Sequence, residues 1–142
     1  MNKEDSLKEK IKQALQSTYR VISDDYQVNK DKKKDEKIYS VGEIDNISDK
    51  NQFNKLRAET DSEALKRRFS NRKLLDKNSP KNPSCRTLYQ LSEKVRYELL
   101  GSEMLKGISK NFKDNYKYRL QTLEQKKITK KEDTNITDAF EI

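Results

Sequence analysis

Apolar residues in this sequence never occur more than three in a row, and many recur at the three- and four-residue spacing of an α-helix. Only 31% of the 142 residues are hydrophobic, whereas 39% are charged. Such a chain can build only a thin core, partly from the aliphatic stems of its lysines and arginines. The pattern therefore predicts a small, mostly α-helical protein that gains stability from partners.

The scarcity of apolar residues also bears on where the protein resides. A membrane-spanning helix needs about 20 consecutive apolar residues, far more than any run in this sequence. Residues 1–10 have no apolar core of the kind found in signal peptides. The single cysteine, Cys85, has no second cysteine with which to form an internal disulfide. We therefore expect a cytoplasmic protein without membrane contact.

Two helices are predicted in the first half of the chain. Ser6 and Glu9 have the spacing of a capping box, which predicts a first helix over residues 6–22. A second helical region follows Asp49 and extends to about residue 69 or 75, with a break possible near residue 60.

Two short segments between these helices, 26–28 and 38–41, alternate in hydrophobicity and are rich in β-forming residues. They predict a possible two-stranded β-hairpin near the N-terminus. Two strands alone are marginally stable in water, so the hairpin would have to lie against a helix or another chain.

Both prolines mark the middle of the chain. Residues 78–83 predict a turn, in which Asn82 is the N-cap and Pro83 the first residue of a third helix. The apolar stripe of this third helix consists of Leu88, Leu91, Val95 and Leu99.

The stripe continues with a period of four, which predicts one long helix or a close pair of helices. We expect Val95, Leu99 and Ile108 to be mostly buried. Beyond about residue 125 the sequence is polar and aperiodic. The sequence thus predicts one helical domain over residues 1–125 and a loose tail over residues 126–142.

Most of the net charge of +8 is concentrated in residues 66–86, which contain eight basic residues and one acidic residue. Such a patch attracts an acidic protein surface or a polyanion, unless it only keeps the protein soluble. Nucleic acid is disfavoured because no recognition motif occurs and few aromatic residues lie among the basic ones. The candidate partner-binding residues are Lys66, Arg67, Arg68, Arg72, Lys73 and Arg86.

The sequence lacks the residues that several kinds of catalytic and binding site require. The sequence contains no histidine, one cysteine and three scattered glycines. It therefore has no Ser-His-Asp triad, no His or Cys metal site and no glycine-rich phosphate-binding loop. We expect no catalytic residue, no metal site and no bound cofactor in this chain.

Residues 59–111 carry a spaced pattern that includes Asp61, Asn82, Pro83, Arg86, Glu93, Arg96, Glu98, Gly101, Met104, Gly107 and Asn111. This pattern resembles the N-terminal region of CobT, the T-type subunit of aerobic cobaltochelatase. The D-x-S-x-S motif of that family's von Willebrand A domain has only a poor counterpart at residues 133–137, so the resemblance covers the N-terminal module alone.

The resemblance implies a non-catalytic subunit that couples an AAA+ ATPase subunit to a large chelatase subunit, which inserts cobalt into a corrin ring. Cobalt and ATP-Mg would then be used by the complex and not bound by this chain. An adaptor that serves another client of an AAA+ ATPase fits the sequence equally well, and a small basic nucleic-acid-binding protein is the third reading. Arg96 and Glu98 project from different helix faces, so each is expected to have its own structural partner.

Overall fold

The computed structural model describes residues 3–24, 39–44 and 48–125, together with residues 137 and 140. The chain divides into two compact units, Met1–Arg68 and Phe69–Ile142. The described residues form five helices and no strand, which confirms a mostly helical fold. The helices are α1 (Lys3–Ile22), α2 (Lys50–Phe69), α3 (Arg72–Asn78), α4 (Pro83–Met104) and α5 (Lys106–Gln125).

One cluster in the core of the first unit joins both helices and the segment between them. Leu15 of α1 and Leu56 of α2 are buried together with Val41 and Ile44 from the segment between the helices. Burial of each such side chain contributes about 1.5–3 kcal/mol, and Ile22 of α1 and Leu65 of α2 are buried as well.

The segment 39–44 is not a strand, so the predicted hairpin is not supported. Tyr39 instead stacks on Tyr19 of α1, with ring centroids 4.7 Å apart. The side-chain amide of Gln16 donates a hydrogen bond to the carbonyl oxygen of Tyr39 over 2.9 Å. The Gln16 side chain thus satisfies a backbone acceptor that a neighbouring strand would otherwise have satisfied. The other predicted strand, 26–28, lies outside the described residues.

The helix starts agree only in part with the sequence signals. Asp49 caps α2, because its Oδ1 accepts hydrogen bonds from the backbone N–H groups of Asn51 (2.9 Å) and Gln52 (3.3 Å). The helix α2 then runs to Phe69 without a break near residue 60. By contrast α1 begins at Lys3, so Ser6 lies inside the helix and the capping-box prediction is wrong.

The second unit is built around α4 and α5, which pack against each other. Asn82 caps α4 as predicted: its Oδ1 accepts hydrogen bonds from the N–H groups of Ser84 (2.9 Å) and Cys85 (3.2 Å), and Pro83 is the first helical residue. A break at Leu105 separates the two helices. The structure therefore has the close pair and not the single long helix.

The buried face of α4 differs from the predicted apolar stripe. Tyr97, Glu98 and Gly101 are buried, whereas Leu99 is 61% exposed. Because each helical residue turns by about 100°, a residue two positions away from both Tyr97 and Gly101 projects from nearly the opposite side. The prediction of a buried Leu99 is therefore wrong. Ile108 is buried as predicted, and Val95 is half-buried.

No helix in the described part of the chain is long and apolar enough to cross a membrane. Apart from residues 137 and 140, the predicted tail 126–142 lies outside the described residues. A single domain over residues 1–125 stays a prediction.

Candidate partner-binding surface

The short helix α3 has no buried residue, although it lies in the middle of the chain. Leu74 is 55% exposed, and the basic residues Arg72 and Lys73 beside it are also exposed. The helix is capped by Asn71, whose Oδ1 accepts a hydrogen bond from the N–H of Leu74 over 3.2 Å. Seven residues, of which only Leu75 is half-buried, cannot form a stable helix alone, so the flanking contacts must hold α3 in place.

Two arginines of α4 supply these contacts. Arg96 donates from Nη2 to the carbonyl oxygen of Phe69 over 2.7 Å, just before α3. Just after α3, Arg86 donates from Nε to the carbonyl of Pro80 (3.2 Å) and from Nη2 to that of Lys81 (3.4 Å). Residues 69–82, which we call the α3 segment, are therefore attached to α4 near both ends.

The first attachment is part of a charged network. Arg96 donates to both carboxylate oxygens of Glu93, at 2.6 Å and 2.7 Å, and the hydroxyl of Ser70 donates to the same carboxylate over 2.6 Å. The Arg96 guanidinium, helped by the Ser70 hydroxyl, holds the pKa of Glu93 below its ordinary value. The carboxylate in turn raises the pKa of Arg96. Glu93 is thus kept ionised and orients Arg96 toward Phe69.

Half of the predicted partner-binding residues lie in the first unit. Lys66 forms an ion pair with Glu63 at 3.3 Å on the exposed side of α2. Arg68 donates from Nη1 to the carbonyl oxygen of Ile22 over 3.1 Å, so it satisfies an acceptor at the C-terminus of α1. Arg67 is exposed. Of these three, Arg68 has a structural task that the charge pattern did not reveal.

The other half lie in the second unit. Arg72 faces Asp76 at 3.8 Å with its side chain 94% exposed, and Lys73 is exposed beside it on α3. Arg86 is committed to the two carbonyls of the turn. Arg72 and Lys73 are thus the predicted partner-binding residues that are exposed on α3, while Arg86 fixes the segment that carries them.

Buried members of the family pattern have structural contacts. Asp61 on α2 is fully buried, and its Oδ2 accepts a hydrogen bond from Nε of Arg57 over 3.3 Å. Glu98 on α4 is buried as well, and it accepts a hydrogen bond from the hydroxyl of Tyr116 over 2.7 Å. Arg96 and Glu98 therefore have separate partners, as their different helix faces predicted.

The remaining members lie near the α4–α5 joint. Gly101 is buried and Asn111 is half-buried, whereas Met104 is 39% exposed. Gly107 is exposed, and a Cβ atom placed there would meet no described atom within 4 Å. No close helix contact therefore requires glycine at position 107.

Three residues that contribute to this surface or to its attachment were not predicted from the sequence. Ser70 completes the Glu93 network, Tyr116 reaches Glu98, and Leu74 is the exposed apolar residue of α3. The first two contacts join residues that are 23 and 18 positions apart, so no local pattern could indicate them. Leu74 was detectable as an apolar residue within the basic run, but not as an exposed one.

The described residues contain no group of three or more His, Cys, Asp or Glu side chains that could hold a metal ion. What the surface offers is cationic and apolar contact area. Such a surface can bind another macromolecule.

The comparison with protein families decides what kind of protein carries this surface. The family model for the cobalamin biosynthesis protein CobT matches residues 5–142. The chain belongs to the CobT family. The resemblance seen in residues 59–111 is thereby confirmed, and CobT-family membership connects the chain with cobalamin biosynthesis. No curated protein and no solved structure matches the chain.

Proposed function

We propose that this CobT-family chain is a non-catalytic subunit of an ATP-dependent cobaltochelatase. It links an AAA+ ATPase subunit, which hydrolyses ATP-Mg, to a large chelatase subunit that inserts cobalt into a corrin ring. The family match over residues 5–142 carries this proposal. Cobalt is the substrate of the complex, and the reaction takes place in the cytoplasm.

The geometry of α3 supports a binding role. An exposed leucine between exposed cations suits contact with a protein surface that offers an apolar depression and carboxylates. The arginine contacts at both ends of the α3 segment hold this surface in one position, so less conformational entropy is lost on binding. We assign α3 to the AAA+ subunit.

The side of α4 that carries Leu88, Leu91, Val95 and Leu99 offers a second surface. Leu99 is 61% exposed and belongs to a stripe whose other members are half-buried. Apolar residues at three- and four-residue spacing are typical of helices that pack on a partner. We assign this side of α4 to the large chelatase subunit, so that the two partners bind different elements.

The test is a pull-down with the tagged chain after nuclease treatment, followed by a cobalt-insertion assay with the recovered subunits. Arg72→Glu with Lys73→Glu should lower recovery of the AAA+ subunit about tenfold or more, since like charges would then face each other. The matched control reverses two exposed lysines of the first unit, Lys10 and Lys55, and should leave recovery unchanged.

Equal recovery with the α3 variant and its control would contradict the role of α3. Recovery of an AAA+ protein without any stimulation of cobalt insertion would favour an adaptor with another client. Binding of nucleic acid alone, with no protein partner recovered, would overturn both the cobaltochelatase and the adaptor hypotheses. The hypothesis of a small basic nucleic-acid-binding protein would then remain.

A further inference from the structure

The helix α5 carries a second cationic surface, separate from the basic run at 66–86. Lys106, Lys110, Lys113 and Lys117 follow one another in steps of four, three and four residues, and all four are exposed. This spacing puts them on one side of the helix over about 16 Å. The buried residues Ile108 and Phe112 project from the other side. We call the four lysines the lysine face.

Unlike several other lysines, the four lysines of the lysine face form no ion pair with a carboxylate in the described part of the chain. Lys8, Lys55, Lys66 and Lys94 each lie 3.2–3.9 Å from a carboxylate three or four residues away. No carboxylate in the described part of the chain lies within 4.0 Å of an ammonium nitrogen of the lysine face. Like charges at this spacing cost a few tenths of a kcal/mol per pair in a helix. A partner that supplies carboxylates would remove this repulsion.

The first part of the lysine face borders an open depression of about 390 Å³. Its lining consists of Ser102 from α4 and of Lys106, Ser109, Lys110, Lys113 and Asp114 from α5. Apart from Asp114, every one of these side chains can donate hydrogen bonds. Leu99 lies one helical turn before Ser102 on the same side of α4, and it is 61% exposed. The hydrogen-bond donors of the depression therefore lie next to the exposed apolar side chain of Leu99.

We propose that the lysine face and this depression dock an acidic helical segment of a partner protein. Carboxylates at the same spacing on a helix would lie opposite the lysines, since both helices rise by about 1.5 Å per residue. An apolar residue of the segment would contact Leu99. Tyr116 and Tyr118 flank Lys117 but project about 100° to either side of it. The lysine face therefore offers no aromatic side chain in line with the lysines for the base stacking of single-stranded nucleic acid.

Leu99 lies on the side of α4 that is assigned above to the large chelatase subunit, so within the proposed function the acidic segment belongs to that subunit. The binding test below uses no chelatase component, so its failure is distinguishable from failure of the proposed function.

The test uses a fluorescent helical peptide of about 20 residues with glutamates in the four-three-four spacing, and a second peptide with glutamine at those positions. Binding is followed by fluorescence anisotropy at low and high salt. The glutamate peptide should bind, and salt should weaken it as the Debye length falls from about 10 Å at 0.1 M to about 3 Å at 1 M. Lysine acetylation, read by mass spectrometry, should show protection of the lysine face in the complex.

The decisive variant is Lys110→Glu with Lys113→Glu, compared with Lys10→Glu and Lys55→Glu, which changes the net charge by the same amount. The first pair should weaken binding about tenfold or more and the second should not. Circular dichroism establishes that both variants are folded. The proposal would be overturned if both pairs of substitutions weakened binding equally, or if the glutamine peptide bound as tightly as the glutamate peptide. It would also be overturned if duplex DNA displaced the labelled glutamate peptide at a lower concentration than the unlabelled peptide does.

Discussion

Arg96 Nη2 lies 2.7 Å from the carbonyl oxygen of Phe69, a residue 27 positions earlier in the chain. The same guanidinium is held by both oxygens of Glu93, so its direction is set by a carboxylate one helical turn away. This bond attaches the start of the α3 segment to α4. The exposed surface of α3 therefore depends on a residue that does not belong to it.

Arg96→Lys should lower the free energy of unfolding by about 1–2 kcal/mol, because lysine cannot donate to both Glu93 and Phe69 in a planar fork. Urea denaturation followed by circular dichroism measures this change. The control is Arg72→Lys on exposed α3, which should change stability by less than about 0.5 kcal/mol. Equal unfolding midpoints for the two variants would show that the network does not stabilise the fold.

Glu93→Gln should remove part of the acid sensitivity of the fold. The pKa of Glu93 is lowered in the folded protein, so its carboxylate stabilises the fold fully above the unfolded pKa of about 4.3. That contribution is lost as the pH falls through the lower, folded pKa. Thermal unfolding between about pH 3 and pH 6 should therefore show a shallower pH dependence in Glu93→Gln than in wild type. Glu103→Gln, at an exposed position of α4, should keep the wild-type slope.

Ile108→Ala should destabilise the protein by about 2–4 kcal/mol, because the side chain is 2% exposed and its removal leaves a cavity. Leu99→Ala should cost less than about 1 kcal/mol, since Leu99 is 61% exposed. Chemical denaturation of the two variants provides the comparison. A Leu99→Ala variant that is as unstable as Ile108→Ala would mean that Leu99 is covered in solution.

Asn82→Ala should lower stability by about 1 kcal/mol, because two N–H groups of α4 lose the side-chain oxygen that accepts their hydrogen bonds. Asn82→Asp keeps an acceptor at the same place and should retain most of the stability. Hydrogen exchange at Ser84 and Cys85 measures the capping contacts directly. If alanine and aspartate behave alike at this position, the cap is not what starts α4.

Local sequence signals predicted the start of a helix correctly where one capping residue binds a few neighbouring backbone groups. Asn82 and Pro83 marked the start of α4, and Asp49 marked the start of α2, because a capping side chain acts within three residues. The capping-box pattern at Ser6 was misleading because the same residue types also occur inside helices. Tyr39 and Val41 had the alternation of a strand, yet their side chains pack beside α1 without any strand pairing.

The sequence by itself determined that this protein is mostly helical, that the basic charge is concentrated near the prolines and that the chain resembles CobT. These properties follow from spacing, charge and residue order along the chain. Only the tertiary structure decided that Leu99 is exposed, that Arg68 and Arg86 bind carbonyl oxygens and that α3 is attached through Arg96 and Glu93. The reason is that an apolar stripe in the sequence does not reveal whether another helix covers it in the fold. Likewise, the roles of Arg96 and Arg68 depend on acceptors that lie 27 and 46 residues away.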